Sequence, residues 1–425
     1  MNKLLSNNVI GMLFVKALSM SINFLVVPLY LFYFESDKLE FGRWLIFFTL
    51  LSILIAFDFG LSSRLKNDLL STKEGWGLNI AKAMVANLFV TLIVVFILLI
   101  IKHYNVLNFL SEIEDSNFNL TLLFIIALSP FKVSIPILQA KQRNWLSAFV
   151  LIIPQIFILL YLLIFKFVVV LPFGQDNILL YILLLTTFFS YFSCLFFVIT
   201  KYKIKIYKCF FSALNVFDYT RSSFSFFITQ ICLIILITMN DVFYGFLGLE
   251  ELVVDYQYYF RVYSLVFVSF SSITVPFWSA IRFQYVNKDF ESVRKLIFYL
   301  YYLLIPMLFS LVIIGFFLQY VFDFWLGDGT KLVDSTSVFY FSILSISMCL
   351  MYVFTALLNS FDVIWFQAKV LLFASFIKFL IIFFSGYLNV YLKFDAVMLS
   401  TVISMVIVAL LVASKAICFC KKLEV

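Results

Sequence analysis

Twelve apolar stretches dominate this chain, and each is close to or longer than the roughly 20 residues that a helix needs to cross a bilayer core. With 64% hydrophobic and only 12% charged residues, the chain has the composition of a membrane protein. We therefore predict an all-α polytopic membrane protein with about 12 transmembrane helices. The predicted spans are 8–33, 43–63, 79–101, 120–140, 145–170, 178–200, 218–240, 252–281, 296–320, 334–360, 365–388 and 395–418.

The basic residues predict the orientation of these spans. Twenty of the 30 Lys and Arg residues fall in alternate loops, counted from the N-terminus, whereas the other loops are rich in Asp and Glu. Basic loops next to helix ends stay in the cytoplasm, so both termini are expected there. The net charge of +7 then reflects topology and attraction to anionic membrane lipids, and it does not indicate nucleic acid binding.

The longest basic loop, residues 201–217, lies at the midpoint of the chain and divides the spans six plus six. We predict an N-terminal six-helix lobe over 1–205 and a C-terminal six-helix lobe over 206–425. A weak internal repeat supports this division, because residues 41–44 and 255–261 both begin a span after an acidic loop. Halves with an even number of spans would be parallel repeats, which is one known transporter plan. Chance similarity between apolar segments is the alternative.

Ionisable residues inside the membrane cost roughly 2.5–3.5 kcal/mol each, so each one is a candidate for function. Lys16 lies in the first predicted span, with Ser19 and Asn23 on the same helical face. Such a polar stripe predicts contact with water or another helix rather than with lipid. The alternatives for Lys16 are snorkelling to the interface and binding to freed backbone carbonyls.

Arg261 has the same character in the eighth predicted span. Gln257 precedes it by one helical turn and Ser264 follows it by one, which makes a second polar stripe. We predict that this stripe also lines a central cavity. The same two structural alternatives apply to Arg261.

Two lysines lie deeper in the predicted spans. Lys132 sits between Pro130 and Pro136, which interrupt the helical hydrogen bonds and free carbonyls that an ammonium group could bind. A cavity role and a structural role are therefore both open for Lys132. Lys378 lies mid-span, one turn after Ser375, and is predicted to face the cavity.

Asp58 is the one acid predicted at depth, near the cytoplasmic end of the second span. It could pair with Arg64 or Lys16, or it could carry a coupling proton. No catalytic constellation accompanies these residues, because the single histidine, His103, lies at an outer boundary. The sequence predicts no enzyme, no metal site and no cofactor. The excess of basic groups at depth instead favours an anionic cargo such as a diphosphate.

Three short patterns, degenerate alone but more specific in their order and spacing, point to a family. They are Pro28 followed by Phe41-Gly42-Arg43-Trp44; Asp58-Phe59-Gly60-Leu61 with Arg64 and Asn67; and Asn240-Asp241 with Asp255-Tyr256 and Pro276-Phe277-Trp278-Ser279-Ala280. Over nearly its whole length the chain resembles bacterial polysaccharide flippases of the Wzx (O-antigen transporter) type. These belong to the multidrug/oligosaccharidyl-lipid/polysaccharide exporter superfamily.

The resemblance implies two six-helix lobes around a V-shaped cationic cavity in the bacterial inner membrane. The implied activity is alternating-access transfer of an undecaprenyl-diphosphate-linked oligosaccharide, an O-antigen or capsule repeat unit, to the outer leaflet. Lys16 and Arg261 match the family's basic residues for the diphosphate, with Lys132 and Lys378 as further candidates. The second span lacks the family's basic residue. Polysaccharide-assembly proteins are the implied partners, and coupling to a proton or sodium gradient is expected, with Asp58 as a weak candidate.

Two other functions remain open from the sequence. A multidrug exporter of the same fold would need buried carboxylates for cationic drugs, and Asp58 alone is predicted at depth. A membrane enzyme would be either a polysaccharide polymerase, with a long arginine-bearing outer loop, or an acyltransferase, with a His and an acid at one membrane face. Neither feature is present in the sequence.

Overall fold

The computed structural model describes residues 3–71, 76–104, 115–141, 143–167, 175–204, 224–327, 329, 331–361, 363–387 and 393–422. Within these ranges the chain forms sixteen α-helices and no strand. The helices are α1 (Lys3–Tyr33), α2 (Lys38–Ala56), α3 (Leu61–Ser71), α4 (Trp76–His103), α5 (Asp115–Leu128), α6 (Ser134–Ala140), α7 (Asn144–Phe167), α8 (Gln175–Tyr202), α9 (Phe224–Leu233), α10 (Asn240–Phe246), α11 (Glu250–Val286), α12 (Phe290–Tyr302), α13 (Leu304–Leu326), α14 (Ser335–Ser360), α15 (Ile364–Tyr387) and α16 (Lys393–Lys422).

The predicted membrane spans agree closely with these helices. Among the described residues, ten stretches are long and apolar enough to cross a membrane, and a bent pair, Phe227–Thr238 with Asn240–Phe246, makes an eleventh. The remaining predicted span, the eighth, corresponds to α11, which has 37 residues but is not one of the apolar candidates. The all-α polytopic fold is therefore confirmed.

The second predicted span ends earlier than expected. The sequence predicts a helix to residue 63, but α2 ends at Ala56, and α3 begins at Leu61 after a break. The break has a physical cause, because Phe59 and Gly60 adopt left-handed φ angles of 55° and 72°. Asp58 and the residues that follow it therefore belong to a helix-to-helix turn rather than to the span.

The chain divides into two compact units, Met1–Ser36 with Leu50–Gln230 and Asp37–Thr49 with Ile231–Val425. The predicted boundary between residues 205 and 206 lies outside the described residues. The division into lobes over 1–205 and 206–425 therefore stays a prediction.

In the first unit, the short helix α3 packs by a helical stripe. Leu61, Leu65 and Leu69 are spaced four residues apart and are almost fully buried. They belong to one apolar core with residues of α4, α6 and α8, among them Ile80, Ala83, Ile137, Leu138 and Val198. This core fixes the turn that carries Asp58.

In the second unit, α11 packs against α14 through aromatic rings. Tyr256, Tyr259 and Tyr263 all contact the Phe341 ring, with centroid distances of 5.5, 5.5 and 5.8 Å. Each tyrosine hydroxyl also forms a hydrogen bond. The rings therefore supply apolar packing while their polar ends stay satisfied.

Two glycines allow close helix packing in the same unit. A Cβ atom on Gly42 of α2 would lie 2.0 Å from the Glu250 carbonyl oxygen at the start of α11. A Cβ atom on Gly245 would lie 2.9 Å from Cδ1 of Ile46. The first half of α2 is thus held against α10 and α11 at a separation that only glycine permits at position 42.

Candidate functional site

The Lys16 stripe lies on α1 in the first unit. The side chains of Lys16, Ser19 and Asn23 are half-buried. The Ser19 hydroxyl donates a hydrogen bond of 3.3 Å to Oε1 of Gln155 on α7. The helix therefore turns part of its polar face toward another helix, as the sequence predicts for such a stripe. A role of Lys16 in cargo binding stays a prediction.

Asp58 has a structural task at the turn after α2. Its Oδ1 atom accepts a hydrogen bond of 3.1 Å from the Gly60 backbone N–H, and its Oδ2 atom accepts one of 3.0 Å from that of Ser62. A carboxylate in this position caps the first turn of a helix, here α3. Arg64, a predicted partner, instead binds Asp68 at 3.2 Å.

Lys132 is 5% exposed and binds the end of α2 from the side. Its ammonium group donates hydrogen bonds of 3.0 Å to the Leu54 carbonyl and 3.1 Å to the Phe57 carbonyl. It also lies close enough to Asp58 for an electrostatic attraction. Lys132 thus binds backbone carbonyls, but these lie at and just after the end of α2 and not at Pro130 and Pro136. A cavity role for Lys132 stays a prediction.

Gln230 completes the support of this turn. Its Nε2 atom donates a hydrogen bond of 3.1 Å to the Ala56 carbonyl, and its Oε1 atom accepts one of 3.1 Å from the Gly60 N–H. The last carbonyls of a helix have no partner within that helix. Lys132 and Gln230 together satisfy two of them, those of Leu54 and Ala56, and Lys132 also binds the carbonyl of Phe57 just after the helix, so the end of α2 is held by polar contacts.

A second polar centre surrounds the break in the seventh span. α9 passes through a π-helical turn, Ile234–Thr238, and the chain bends by 64° before α10. Breaks of this kind are frequent at functional sites and leave backbone carbonyls available for ligands. Asn240 and Asp241 begin the helix after the bend.

Asp241 corrects a sequence-based expectation. The span predicted over 218–240 leaves Asp241 outside it, in one of the acid-rich loops, but it is 2% exposed inside the second unit. Its carboxylate accepts a hydrogen bond of 2.6 Å from the Thr49 hydroxyl and bonds of 2.9 and 2.8 Å from Nε2 of Gln257. Arg261 interacts with it electrostatically. We call these four residues the Asp241 cluster.

The Asp241 cluster brings together two predicted site residues, Gln257 and Arg261, with two that the sequence analysis did not select. Ser264, also predicted, donates only to the Arg261 carbonyl of its own helix, at 2.8 Å. The polar pair Asn240-Asp241 directly after an apolar run was the signal that could have identified Asp241. Thr49 carries no such signal, because single threonines are common in membrane helices.

Lys378 binds on the other side of the same break. It is fully buried at 0% exposure, and its ammonium group donates to the Ile235 carbonyl at 2.8 Å, the Leu236 carbonyl at 2.9 Å and Oδ1 of Asn240 at 2.5 Å. Thr401 of α16 donates to the same Oδ1 at 3.0 Å. The three N–H groups of Lys378 are therefore taken by protein oxygens, and its predicted contact with a diphosphate stays untested.

Within the described ranges, no group of three or more His, Cys, Asp or Glu side chains could hold a metal ion.

No family model and no curated protein sequence matches the chain. Solved structures do. The inward closed conformation of the lipid II flippase MurJ aligns with a TM-score of 0.66 at 16% identity, over 96% of this chain and 87% of that one. An outward-facing multidrug resistance MATE family transporter of the MOP superfamily aligns with a TM-score of 0.67 at 12% identity, over 100% and 96%. The Vibrio cholerae MATE transporter VcmN aligns with a TM-score of 0.64 at 12% identity, over 99% and 97%.

These similarities show the fold. The chain has the fold of MOP-superfamily transporters, a class that includes a lipid flippase and multidrug exporters among the structures above. Identities of 12–16% do not extend to cargo. Cargo must be argued from the side chains.

Proposed function

We propose that the chain is a flippase that moves an undecaprenyl-diphosphate-linked oligosaccharide from the cytoplasmic to the outer leaflet of a bacterial inner membrane by alternating access. The observation that carries the proposal is the half-buried position of Lys16 and Arg261 within long helices of a transporter fold. Cations at such positions face a protein interior or a water-filled space, where they mark the path of an anion.

The chemistry of the two cations suits a diphosphate. The Lys16 ammonium is a point charge, and the Arg261 guanidinium can bind two phosphate oxygens in its plane. On α1, Ser19 and Asn23 lie on the same helical face as Lys16, and on α11, Gln257 lies one turn before Arg261. Neutral polar groups of this kind suit sugar hydroxyls. The sugars would then lie in a polar interior while the polyprenyl tail remains in lipid.

Export of cationic drugs is the alternative within the same fold. It requires carboxylates that are available to the cargo. Among the described residues the buried acids are Asp58, which caps α3, and Asp241, which accepts three hydrogen bonds and faces Arg261. Both acids are thus engaged by the protein itself, which favours an anionic cargo.

Coupling to an ion gradient belongs to the same proposal. Asp58 serves the cap of α3, so Asp241 is the better candidate for a coupling acid, since it contacts both α2, through Thr49, and α11, through Gln257. Protonation of Asp241 would weaken its attraction for Arg261 and leave that cation freer for phosphate. A gradient can bias the cycle only through such a difference between states.

The proposal is tested by complementation of a flippase-deficient strain, with Arg261→Ala and Lys16→Ala compared with wild type at matched membrane levels. We expect loss of surface polysaccharide in both variants and partial activity in Arg261→Lys, which keeps the charge. Lys166→Ala is the matched control, because Lys166 is exposed at the end of α7 and contacts aromatic rings. Full activity of both alanine variants would refute the assigned cation site.

Binding by the purified protein separates the two cargo classes. Undecaprenyl diphosphate and the cationic dye ethidium are offered to wild type and to Arg261→Ala. We expect the diphosphate to bind and the substitution to weaken it at least tenfold, which corresponds to about 1.4 kcal/mol. Binding of ethidium alone, undiminished by Arg261→Ala, would replace the flippase proposal with drug export.

A further inference from the structure

The break in the seventh span presents a set of oxygen atoms to a single positive charge. The Ile235 and Leu236 carbonyls and Oδ1 of Asn240 surround Nζ of Lys378 at 2.5–2.9 Å. The two carbonyls belong to the π-helical turn, and Asn240 follows the bend. All three oxygens thus converge because the helix is interrupted there.

The hydrogen bonds match the charged form of Lys378. Nδ2 of Asn240 donates a hydrogen bond of 2.8 Å to the Tyr256 hydroxyl, and Oδ1 of the same side chain faces Lys378. The three groups that bind Nζ thus all offer acceptor oxygens. A neutral amine has two N–H donors and an ammonium group has three, so the ammonium form satisfies all three contacts.

The ammonium group is held without a counter-ion. In the part of the chain that the structure describes, no carboxylate lies within ion-pair distance of Nζ; the other neighbour is the Phe243 ring, 5.1 Å away. Neutral oxygens at a broken transmembrane helix are the ligands with which transporters coordinate small monovalent cations. Thr401 on α16 supports the set by its bond to Asn240.

We propose that these oxygens form a monovalent-cation site that the chain fills with its own Lys378 ammonium group. Lys378 is then a tethered cation, so this site takes up neither Na⁺ nor K⁺ in the native protein. When the side chain is shortened, the oxygens face an unfilled space of suitable chemistry, and a free alkali cation takes the place of the ammonium. This inference does not depend on the cargo.

The experiment compares thermal unfolding of the purified full chain in NaCl, KCl and choline chloride at equal ionic strength. For wild type we expect the same Tm in all three salts. For Lys378→Ala we expect a lowered Tm in choline and a saturable rise of several degrees with Na⁺ or K⁺, and the more effective ion identifies the preferred size. Lys378→Met should be lowered in every salt, because the longer side chain occupies the space without charge.

Two results would overturn the proposal. One is a Tm of Lys378→Ala that is equally low in all three salts, or a variant that cannot be recovered folded even in NaCl or KCl, because either shows that a free cation cannot replace the ammonium. The other is a saturable Na⁺- or K⁺-dependent rise for wild type with no such rise for Lys378→Ala. Lys166→Ala, which removes an exposed lysine, controls for the effect of salt on net charge.

Discussion

A buried lysine in each unit binds backbone carbonyls where a helix is interrupted, yet the two surroundings differ. Lys132 in the first unit binds two carbonyls at the end of α2 and lies near the Asp58 carboxylate. Lys378 in the second unit binds two carbonyls and one amide oxygen at the break between α9 and α10, with Phe243 as its other neighbour.

The difference separates two uses of a charge in the membrane. In the first unit, the Asp58 carboxylate attracts Lys132 without forming a direct ion pair, and this attraction partly offsets the cost of burying the charge. Among neutral oxygens, the ammonium has no such compensation, and its desolvation is offset by hydrogen bonds alone. The same residue type therefore acts as a structural support in one unit and, in our proposal, as a resident cation in the other.

The largest expected effect is that of Lys378→Met. The substitution takes the Lys378 donor from two buried carbonyls and leaves Oδ1 of Asn240 with the Thr401 hydroxyl as its donor. Each unsatisfied buried group costs about 1–3 kcal/mol, and the bond lost at Oδ1 adds to this. We expect a loss of about 3 kcal/mol or more in the free energy of unfolding, measured by detergent titration in choline chloride. A loss below that of Lys132→Met would contradict the ranking of the two lysines.

Lys132→Met is expected to have the second largest effect. Two acceptors lose their donor, which predicts a loss of roughly 2–4 kcal/mol. The same detergent titration measures it, and we expect no difference between Na⁺ and choline, because the ammonium is replaced by a side chain that fills its space. If Na⁺ restored the stability of Lys132→Met and choline did not, the proposed difference between a structural Lys132 and a resident cation at Lys378 would be wrong.

A double-mutant cycle sharpens the role of Asp58. Asn keeps only one of the two acceptor oxygens that bind the Gly60 and Ser62 N–H groups, so Asp58→Asn alone should cost about 1–3 kcal/mol. If Asp58 compensates the charge of Lys132, Asp58→Asn with Lys132→Met should be less destabilised than the sum of the single variants, by about 0.5–3 kcal/mol. Strict additivity in unfolding titrations would mean that the carboxylate serves α3 alone.

Thr401→Val tests the hydrogen bond from Thr401 to Asn240, the residue that binds Lys378. Its hydroxyl gives Asn240 one hydrogen bond, so we expect a loss of about 1 kcal/mol in the free energy of unfolding. Thr200→Val is the matched control, since the exposed Thr200 hydroxyl bonds only to carbonyls of its own helix. Equal losses in the two variants would show that Thr401 contributes nothing specific.

The smallest expected effect is that of Lys166→Ala. This lysine is exposed, so its loss should change the free energy of unfolding by less than about 0.5 kcal/mol in the same titration. Comparison with this variant shows how much of the destabilisation by Lys378→Met and Lys132→Met is due to the burial of those lysines rather than to the loss of any lysine. A loss comparable with that of Lys132→Met would undermine the assignment by burial.

The fold could be predicted from the sequence because the hydropathy of a span depends only on consecutive residues. Among the described residues, eleven of the twelve predicted spans match apolar stretches long enough to cross a membrane, counting one bent pair, and the eighth matches the 37-residue helix α11. The partners of buried charges could not be predicted. The carbonyls that bind Lys132 lie 75 and 78 residues earlier in the chain, and those that bind Lys378 lie about 143 earlier. No local pattern encodes such pairings.

Asp241 shows why the depth of a charge is also hard to predict. Charge counting treats an acid at the end of an apolar run as a loop residue. The structure continues the seventh span past it through a bend, so the run ends at a break within the span rather than at its boundary. In the sequence alone, polar residues at a helix break cannot be distinguished from polar residues in a loop.

The rings around Phe341 have a consequence for motion. Sliding α11 along α14 by one turn would separate three tyrosines from the same ring and break the bond between Tyr263 and Ser342. The helices α11 and α14 should therefore move together as one rigid body.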